Sequence, residues 1–253
     1  MNQYGKNRLY GYVWKFILRT RHVGDEEFLR PVYSLATADL DIRSHLGKLN
    51  EELRGFSELR ESLKAHQAVM HTNYDDMILG STTWLPMLYY MIRIKRPAIV
   101  IETGCATGTT ASLILYALEQ NGFGHLYTLD LRDPADWISK ADLPTGFLVP
   151  ERLKARWSLM LKDAKVALPE LLSQLGTVDF FYHDSDHSYI HQMWEILTAW
   201  PYLKSGGILA SDDLADNTAL FDLARQVSSN MLVTSRQHNF GYLVRDGGMS
   251  SSV

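Results

Sequence analysis

The sequence predicts an α/β protein: a doubly wound, mostly parallel sheet that finishes in a C-terminal antiparallel hairpin and is preceded by an N-terminal helical extension. Three observations carry this reading. From about residue 98, short apolar runs alternate with stretches of helix length. Four of those runs end on acids, at Glu102, Asp130, Asp184 and Asp212. The first is followed by a turn containing Gly104 and Gly108. Strands covered on both faces read as continuous apolar segments, which is the pattern of a parallel sheet flanked by helices.

Taken in order, residues from about 40 to 70 place Leu40, Leu46, Leu49, Leu53, Leu59 and Leu63 at helical spacing among charges, which predicts one or two amphipathic helices outside the sheet. A further helix begins at the capping residues Ser81 or Thr82 and ends before Pro97. The first strand is "AIVIE", followed by a helix from about Thr109 to Gln120 and the strand "HLYTLDL". After a loop rich in Asp and Pro come the strand "RWSLML", a helix around "AKVALPELLSQL" and the strand "VDFFYHD". The helix "SYIHQMWEILTAWPYL" and the strand "GGILASDD" follow, and "NMLVTSRQHNFGYLVRD" supplies two β-rich runs joined by a polar turn. The division expected is an extension over 1–78, a main domain over 79–246 and a tail over 247–253.

Composition narrows the function classes. With 46% hydrophobic residues in 253, the chain can bury a substantial core. The formal net charge of −4, with Lys and Arg scattered, gives no phosphate-tracking surface, so nucleic acid is not the expected partner. The one cysteine, Cys105, removes a disulfide framework or multi-cysteine zinc site and reads as a small buried residue. No apolar stretch of membrane-spanning length occurs, and the start "MNQYGKNRLYGYVWKFILRTRH" is too polar for a secretory leader, so a cytoplasmic location is expected.

In an open α/β sheet, ligands collect beyond the C-terminal strand ends. Gly104 and Gly108 allow a sharp turn and close approach to a nucleotide-like ligand at the start of the next helix. The spacing fits neither the dinucleotide fingerprint nor the phosphate loop, and Glu102 would repel a pyrophosphate. Asp130 can accept hydrogen bonds from both hydroxyls of a ribose, and Asp163 stands where a side chain could reach an adenine amine. Both acids could also serve as helix N-caps, a reading that for Asp163 stands nearly level with the functional one.

The ordered set "IETGCATGTTA", "LYTLD", "LKDA", "VDFFYHDSDHSYIHQMWEI" and "GGILASDD" resembles the motifs of class I S-adenosylmethionine-dependent methyltransferases across roughly residues 80–245. That resemblance implies a Rossmann-like sheet and a cofactor site made from Glu102, Gly104, Thr107, Gly108, Asp130, Asp163 and Asp184. The stretch "YHDSDHSY" resembles the strand-four motif of metal-dependent small-molecule O-methyltransferases, of the catechol and caffeoyl-CoA types and their antibiotic-tailoring relatives. By that resemblance Asp184 is the first metal ligand, while Asp212 and Asp213 form the dipeptide that completes the site. Asp213 departs from the more usual Asn and brings the chain nearer the antibiotic-tailoring branch.

Chemistry points the same way, since converging carboxylates raise one another's pKa unless a cation neutralises them, and oxygen ligands favour a hard ion such as Mg2+. His187, where the plant enzymes carry a Lys, is the candidate base toward a small-molecule hydroxyl. Two other readings remain open, a metal-independent transfer to nitrogen or another transfer from the same cofactor, and a non-catalytic cofactor-binding subunit.

Neighbouring residues have plainer roles. Asp186 is expected to cap the helix near Ser188, and His183 to pack in the core on the face opposite Asp184. His191 could line the pocket with His187 or face solvent, while Trp84, Trp194 and Trp200 sit at core-packing positions. The segment "HTNYDDM", with Tyr74, could close over the site, and the extension could serve as a lid or a homodimer interface.

Overall fold

The computed structural model describes residues 42–79, 85–131, 143–214, 216–227, 232–233 and 240–245. The predicted amphipathic stretch forms two helices, α1 (Ile42–Arg54) and α2 (Ser57–Ala65). They break at Gly55, whose N–H donates back to the carbonyls of Glu51 and Glu52. Single-turn helices α3 (Gln67–Met70) and α4 (Tyr74–Met77) lead on toward α5 (Leu85–Lys95). Ser81, Thr82, Trp84 and the tail 247–253 lie outside the described residues.

The alternation that follows is β1 (Ile99–Thr103), α6 (Thr109–Asn121), β2 (His125–Asp130), β3 (Trp157–Leu161), α7 (Ala164–Leu175) and β4 (Val178–His183). It continues with α8 (Tyr189–Ala199), β5 (Leu203–Ser211), α9 (Ala219–Gln226), β6 (Leu232–Val233) and β7 (Gly241–Val244). The strands form one sheet in the order β3-β2-β1-β4-β5-β7-β6. β1 to β5 run parallel, while β7 is antiparallel to both β5 and β6, which is the expected closing hairpin. The winding reverses between β1 and β4, so the crevice of the fold lies above that pair.

Side-chain alternation along the strands divides the core into two. Val100, Phe180, Tyr182, Ile208, Ala210 and Tyr242 face α1, α2, α5 and α6. Ile101, Leu129, Phe181, Leu209 and Leu243 face α7, α8 and α9. The described part of the extension, from Ile42 on, contributes to the first of these cores: Leu49, Leu53, Phe56, Leu59 and Leu63 are buried with Ile114 and Leu118. Arg93 of α5 holds Glu52 of α1 through two hydrogen bonds of 2.8 and 2.9 Å. The Phe56 ring is fully buried and stacks on Tyr116 at 4.0 Å. Phe56→Ala is therefore expected to lower stability by about 3–5 kcal/mol in urea denaturation, as deletion of a buried ring does. An unchanged midpoint would show that α1 and α2 are not part of the cooperative fold.

Register accounts for the placement of the site. Leu129, Thr103, His183 and Ser211 lie side by side across β2, β1, β4 and β5. Each of the groups chosen from the sequence stands one residue further along: Asp130, Gly104, Asp184 and Asp212. Three of the four acids that end apolar runs thus reach one edge, where Gly104 stands for β1, while Glu102 lies two residues back inside that strand.

Candidate functional site

The glycine turn is held from two sides. Asp130 Oδ2 accepts the backbone N–H groups of Cys105 and Ala106, both at 2.8 Å. Gly104 N–H donates to the Leu129 carbonyl, and Asp184 N–H donates to the Thr103 carbonyl, both at 2.8 Å. Thr107 Oγ1 lies 2.9 Å from Thr109 Oγ1, and the Thr107 carbonyl accepts from Leu148 N–H. Cys105 is buried, as expected.

The reason for the two glycines differs from the sequence expectation of a ligand against the backbone. A Cβ on Gly104 would stand 1.9 Å from the Asp184 carbonyl oxygen, and one on Gly108 would stand 2.8 Å from both Gly146 Cα and Val149 Cγ2. At these positions the chain itself approaches the turn. Gly104 therefore joins the turn after β1 directly to the end of β4.

Glu102 precedes the turn inside β1, fully buried. Its Oε2 accepts from Thr128 Oγ1, which in turn accepts from Trp157 Nε1, both at 2.9 Å. Burial pushes its carboxyl up to about 8, against the hydrogen bonds of Thr110 and Thr128, with Asp184 and Asp130 adding to the rise. The protonated form is thus favoured by folding. Its contribution is fully present below about pH 4.5 and is lost as pH rises through about 8. In cofactor-free protein, Glu102→Gln is expected to be more stable than wild type by on the order of 4 kcal/mol at pH 8.5, the gap closing toward pH 4.5. Urea denaturation at the two pH values checks this, and a gap independent of pH would contradict it.

Beyond β4 and β5, Asp184, His187 and Asp212 bring carboxylate and imidazole atoms within 4.8 Å of one another. His187 Nε2 lies 3.9 Å from Asp184 Oδ1 and 3.5 Å from Asp213 Oδ2, and its Nδ1 lies 3.9 Å from Asp212 Oδ1. The Asp184 and Asp212 carboxylates are within hydrogen-bonding reach of each other. Asp184 is pushed up to about 7, first by burial and then by the Asp213 charge, while Asp212 and Tyr182 donate against the rise. Asp212 is likewise pushed well above the usual carboxylate range by burial and by the charges of Asp184 and Asp213. Burial lowers His187, with Asp213 opposing.

Asp212 Oδ1 and His187 Nδ1 are buried and have no hydrogen-bond partner among the described residues. Acidic oxygens raised in this way and an unpartnered imidazole nitrogen fit a cation. The compact set is Asp184, His187 and Asp212, whereas the sequence expectation was Asp184, Asp212 and Asp213 with His187 apart as base. Asp213 instead faces His187 on a left-handed backbone, at φ 44°.

Other predicted residues take structural positions. Asp163 is the N-cap of α7, its Oδ1 accepting from Lys165 N–H at 2.8 Å. The cap of α8 is Ser188 rather than Asp186, whose Oδ1 accepts from Ser188 N–H. His183 is fully buried and bonded to Glu195 on the second core face, as expected of a packed histidine. His191 also bonds Glu195, at 2.8 Å. Tyr74 is a core residue whose hydroxyl donates to the Leu53 carbonyl. Trp194 and Trp200 pack against the second core.

Sequence reasoning missed the polar inner face of α8. Gln192 Nε2 donates to Ser211 Oγ at 2.7 Å, and Asn217 Nδ2 donates to the His187 carbonyl at 2.8 Å, which ties both segments of the acidic set together. The signal was present in "HQMWEI", where His191, Gln192 and Glu195 share one helical face among apolar residues.

Residues 101–214 match a family model described as a methyltransferase domain. No curated protein matches the chain in sequence. Among solved structures, an O-methyltransferase from Bacillus cereus, in complex with S-adenosylhomocysteine, is 15% identical; the match covers 75% of this chain and 91% of that one at a TM-score of 0.51. The O-methyltransferase TomG of tomaymycin synthesis from Streptomyces achromogenes, with S-adenosylmethionine, is 13% identical over 75% of this chain and 90% of its own, at 0.51. A Podospora anserina methyltransferase bound to S-adenosylhomocysteine is 11% identical over 83% of this chain and 98% of its own, at 0.53. At these identities the structural likeness is one of fold. Among the described residues, no helix is long and apolar enough to cross a membrane. Residues 101–214 thus match a methyltransferase-domain model, and the mostly parallel sheet that carries them shares its fold with solved methyltransferases bound to S-adenosylmethionine or S-adenosylhomocysteine.

Proposed function

We propose that the protein transfers a methyl group from S-adenosylmethionine to a hydroxyl oxygen of a small molecule, with a divalent cation held at the ends of β4 and β5. The observation that carries this reading is the contact between the two halves of the site. The Asp184 carbonyl fills the space beside Gly104, so the turn expected to hold the methyl donor abuts the acids expected to hold the cation.

Asp184 and Asp212 are the cation ligands, with Asp213 and His187 adjacent, and the acidic oxygens favour Mg2+. When bound, S-adenosylmethionine supplies a sulfonium methyl, and the cation supplies a charge that acidifies the acceptor hydroxyl. The chain's own part is alignment and proton removal. The turn at Gly104, Thr107 and Gly108 places the donor, Asp130 takes the ribose hydroxyls through the oxygen not bound to the turn, and the adenine amine is assigned to the Asp163 oxygen that does not cap α7. His187 accepts the hydroxyl proton, leaving the oxygen to take the methyl that the bound donor would release from its sulfur, with S-adenosylhomocysteine as the second product. The extension over 1–78 is assigned to selecting the acceptor.

Incubation with S-adenosylmethionine and a panel of hydroxylated and aminated small molecules, read by mass spectrometry, tests the proposal. O-methylated products that disappear on chelation are the expected result. N-methylated products insensitive to chelation would overturn it in favour of a metal-independent transfer.

A further inference from the structure

Directly beneath the row of strand ends, α8 sends a carboxylate into the second core face. Glu195 is fully buried and takes four hydrogen bonds. Its Oε2 accepts from Thr103 Oγ1 and His183 Nδ1, both at 2.6 Å. Its Oε1 accepts from Ser185 Oγ at 3.0 Å and His191 Nε2 at 2.8 Å. Burial works against its charge, yet the bonds from His183, His191 and Thr103 outweigh it and hold the carboxyl at about 2. An ionised carboxylate only accepts, so His183 Nδ1 and His191 Nε2 both carry protons.

A buried carboxylate is an expensive way to fill a helix face that packs on an apolar sheet. Its partners suggest what it does there. Thr103 is the last residue of β1, immediately before Gly104. His183 and Ser185 flank Asp184 on both sides. His183 stands edge-on to His187, with ring centroids 5.5 Å apart at 87°. One side chain therefore holds the side chains of the residues before and after Asp184, the first of them the ring against which His187 rests, and that of the neighbouring strand end.

We propose that Glu195 is a positioning residue for the Asp184–His187–Asp212 centre: it clamps the chain on either side of Asp184 and fixes His183 with its Nδ1 proton turned inward. The proposal rests on the reading that this centre holds a cation. Supporting residues of this kind typically carry 10–100-fold in metal affinity or activity.

The test uses Glu195→Gln, which keeps the shape but replaces one acceptor oxygen by a donor, so that the side chain can no longer accept from the protonated His183 Nδ1 and His191 Nε2 together. Mn2+ serves as the probe ion, S-adenosylhomocysteine affinity as the control, and the imidazole N–H signals in 15N-resolved NMR as the direct readout. In the wild type an exchange-protected Nδ1 proton of His183, assigned by its loss in His183→Gln, is expected; in Glu195→Gln, where a neutral amide replaces the carboxylate that accepts it, its protection falls. Mn2+ binding falls by about 10–100-fold while S-adenosylhomocysteine affinity stays within about threefold.

If Glu195→Gln does not fold, Ser185→Ala, which removes one donor and spares the carboxylate, carries the same comparison with a smaller loss. Unchanged Mn2+ affinity in the folded variant, or no protected His183 proton in the wild type, overturns the proposal. A wild type that binds no Mn2+ refutes the cation reading instead, and the NMR signal still decides whether the clamp exists.

Discussion

Asp184→Ala is expected to abolish cation binding and to lower methyl transfer by about three orders of magnitude, the effect of removing several kcal/mol of charge stabilisation from the reacting oxygen. The same substitution is expected to leave the cation-free protein no less stable than wild type. Asp184 is pushed up to about 7 by burial and by Asp213, and Asp212 is raised by burial with the charges of Asp184 and Asp213, so the acids oppose the fold that gathers them. Stability and function should therefore separate, as they do where a strained site serves activity. Thermal unfolding with and without Mg2+ reads both effects. Wild type should gain about 2.7 kcal/mol at a cation concentration 100 times the dissociation constant, and Asp184→Ala should gain none. A variant that unfolds more easily without cation would mean that Asp184 is a structural residue.

Gly104→Ala has the second large effect, this time on the fold and both halves of the site together. Gly104 lies at φ 84°, and an added Cβ would stand 1.9 Å from Asp184 O, 2.5 Å from Asp184 C and 2.9 Å from Ser185 N. All three are backbone atoms, so no side-chain rotation relieves the clash. The left-handed backbone costs about 1–2 kcal/mol and the overpacking about 1–3 more. Because the crowded atoms belong to Asp184, relief must shift the acid, and the affinities for S-adenosylhomocysteine and for cation should fall together. Gly122 offers the control: it lies at φ 80° in the left-handed region with nothing within 4 Å of its Cβ position, so Gly122→Ala should cost only the backbone strain. Equal losses at the two positions would show that the Asp184 contact is immaterial.

Much of this arrangement was legible in the chain because period and position coincide. Apolar runs ending in Asp130, Asp184 and Asp212 marked the ends of β2, β4 and β5, with Glu102 one residue short of the end of β1, and a parallel register places residues just past neighbouring strands side by side. The two glycines were legible as a turn, but their neighbours, Asp184 and Gly146, are distant in sequence, so spacing could suggest close approach without naming what approaches. Asp163 could be read as cap or ligand because both roles ask for a carboxylate just before a helix, and its bond to Lys165 N–H is the cap. Glu195 escaped notice for the opposite reason. A single acid in an amphipathic helix reads as solvent-facing, and only the crossing of α8 over the β1 and β4 ends makes it the hub of four hydrogen bonds.

The central claim is that a donor site at the turn after β1 adjoins a cation site at the ends of β4 and β5. Calorimetric titration of the metal-free protein with S-adenosylhomocysteine, followed by Mg2+, tests it most directly. Saturable one-to-one binding of each, with Asp184→Ala retaining the first and losing the second, is the predicted result. No binding of S-adenosylhomocysteine, or cation binding that survives Asp184→Ala, would contradict it.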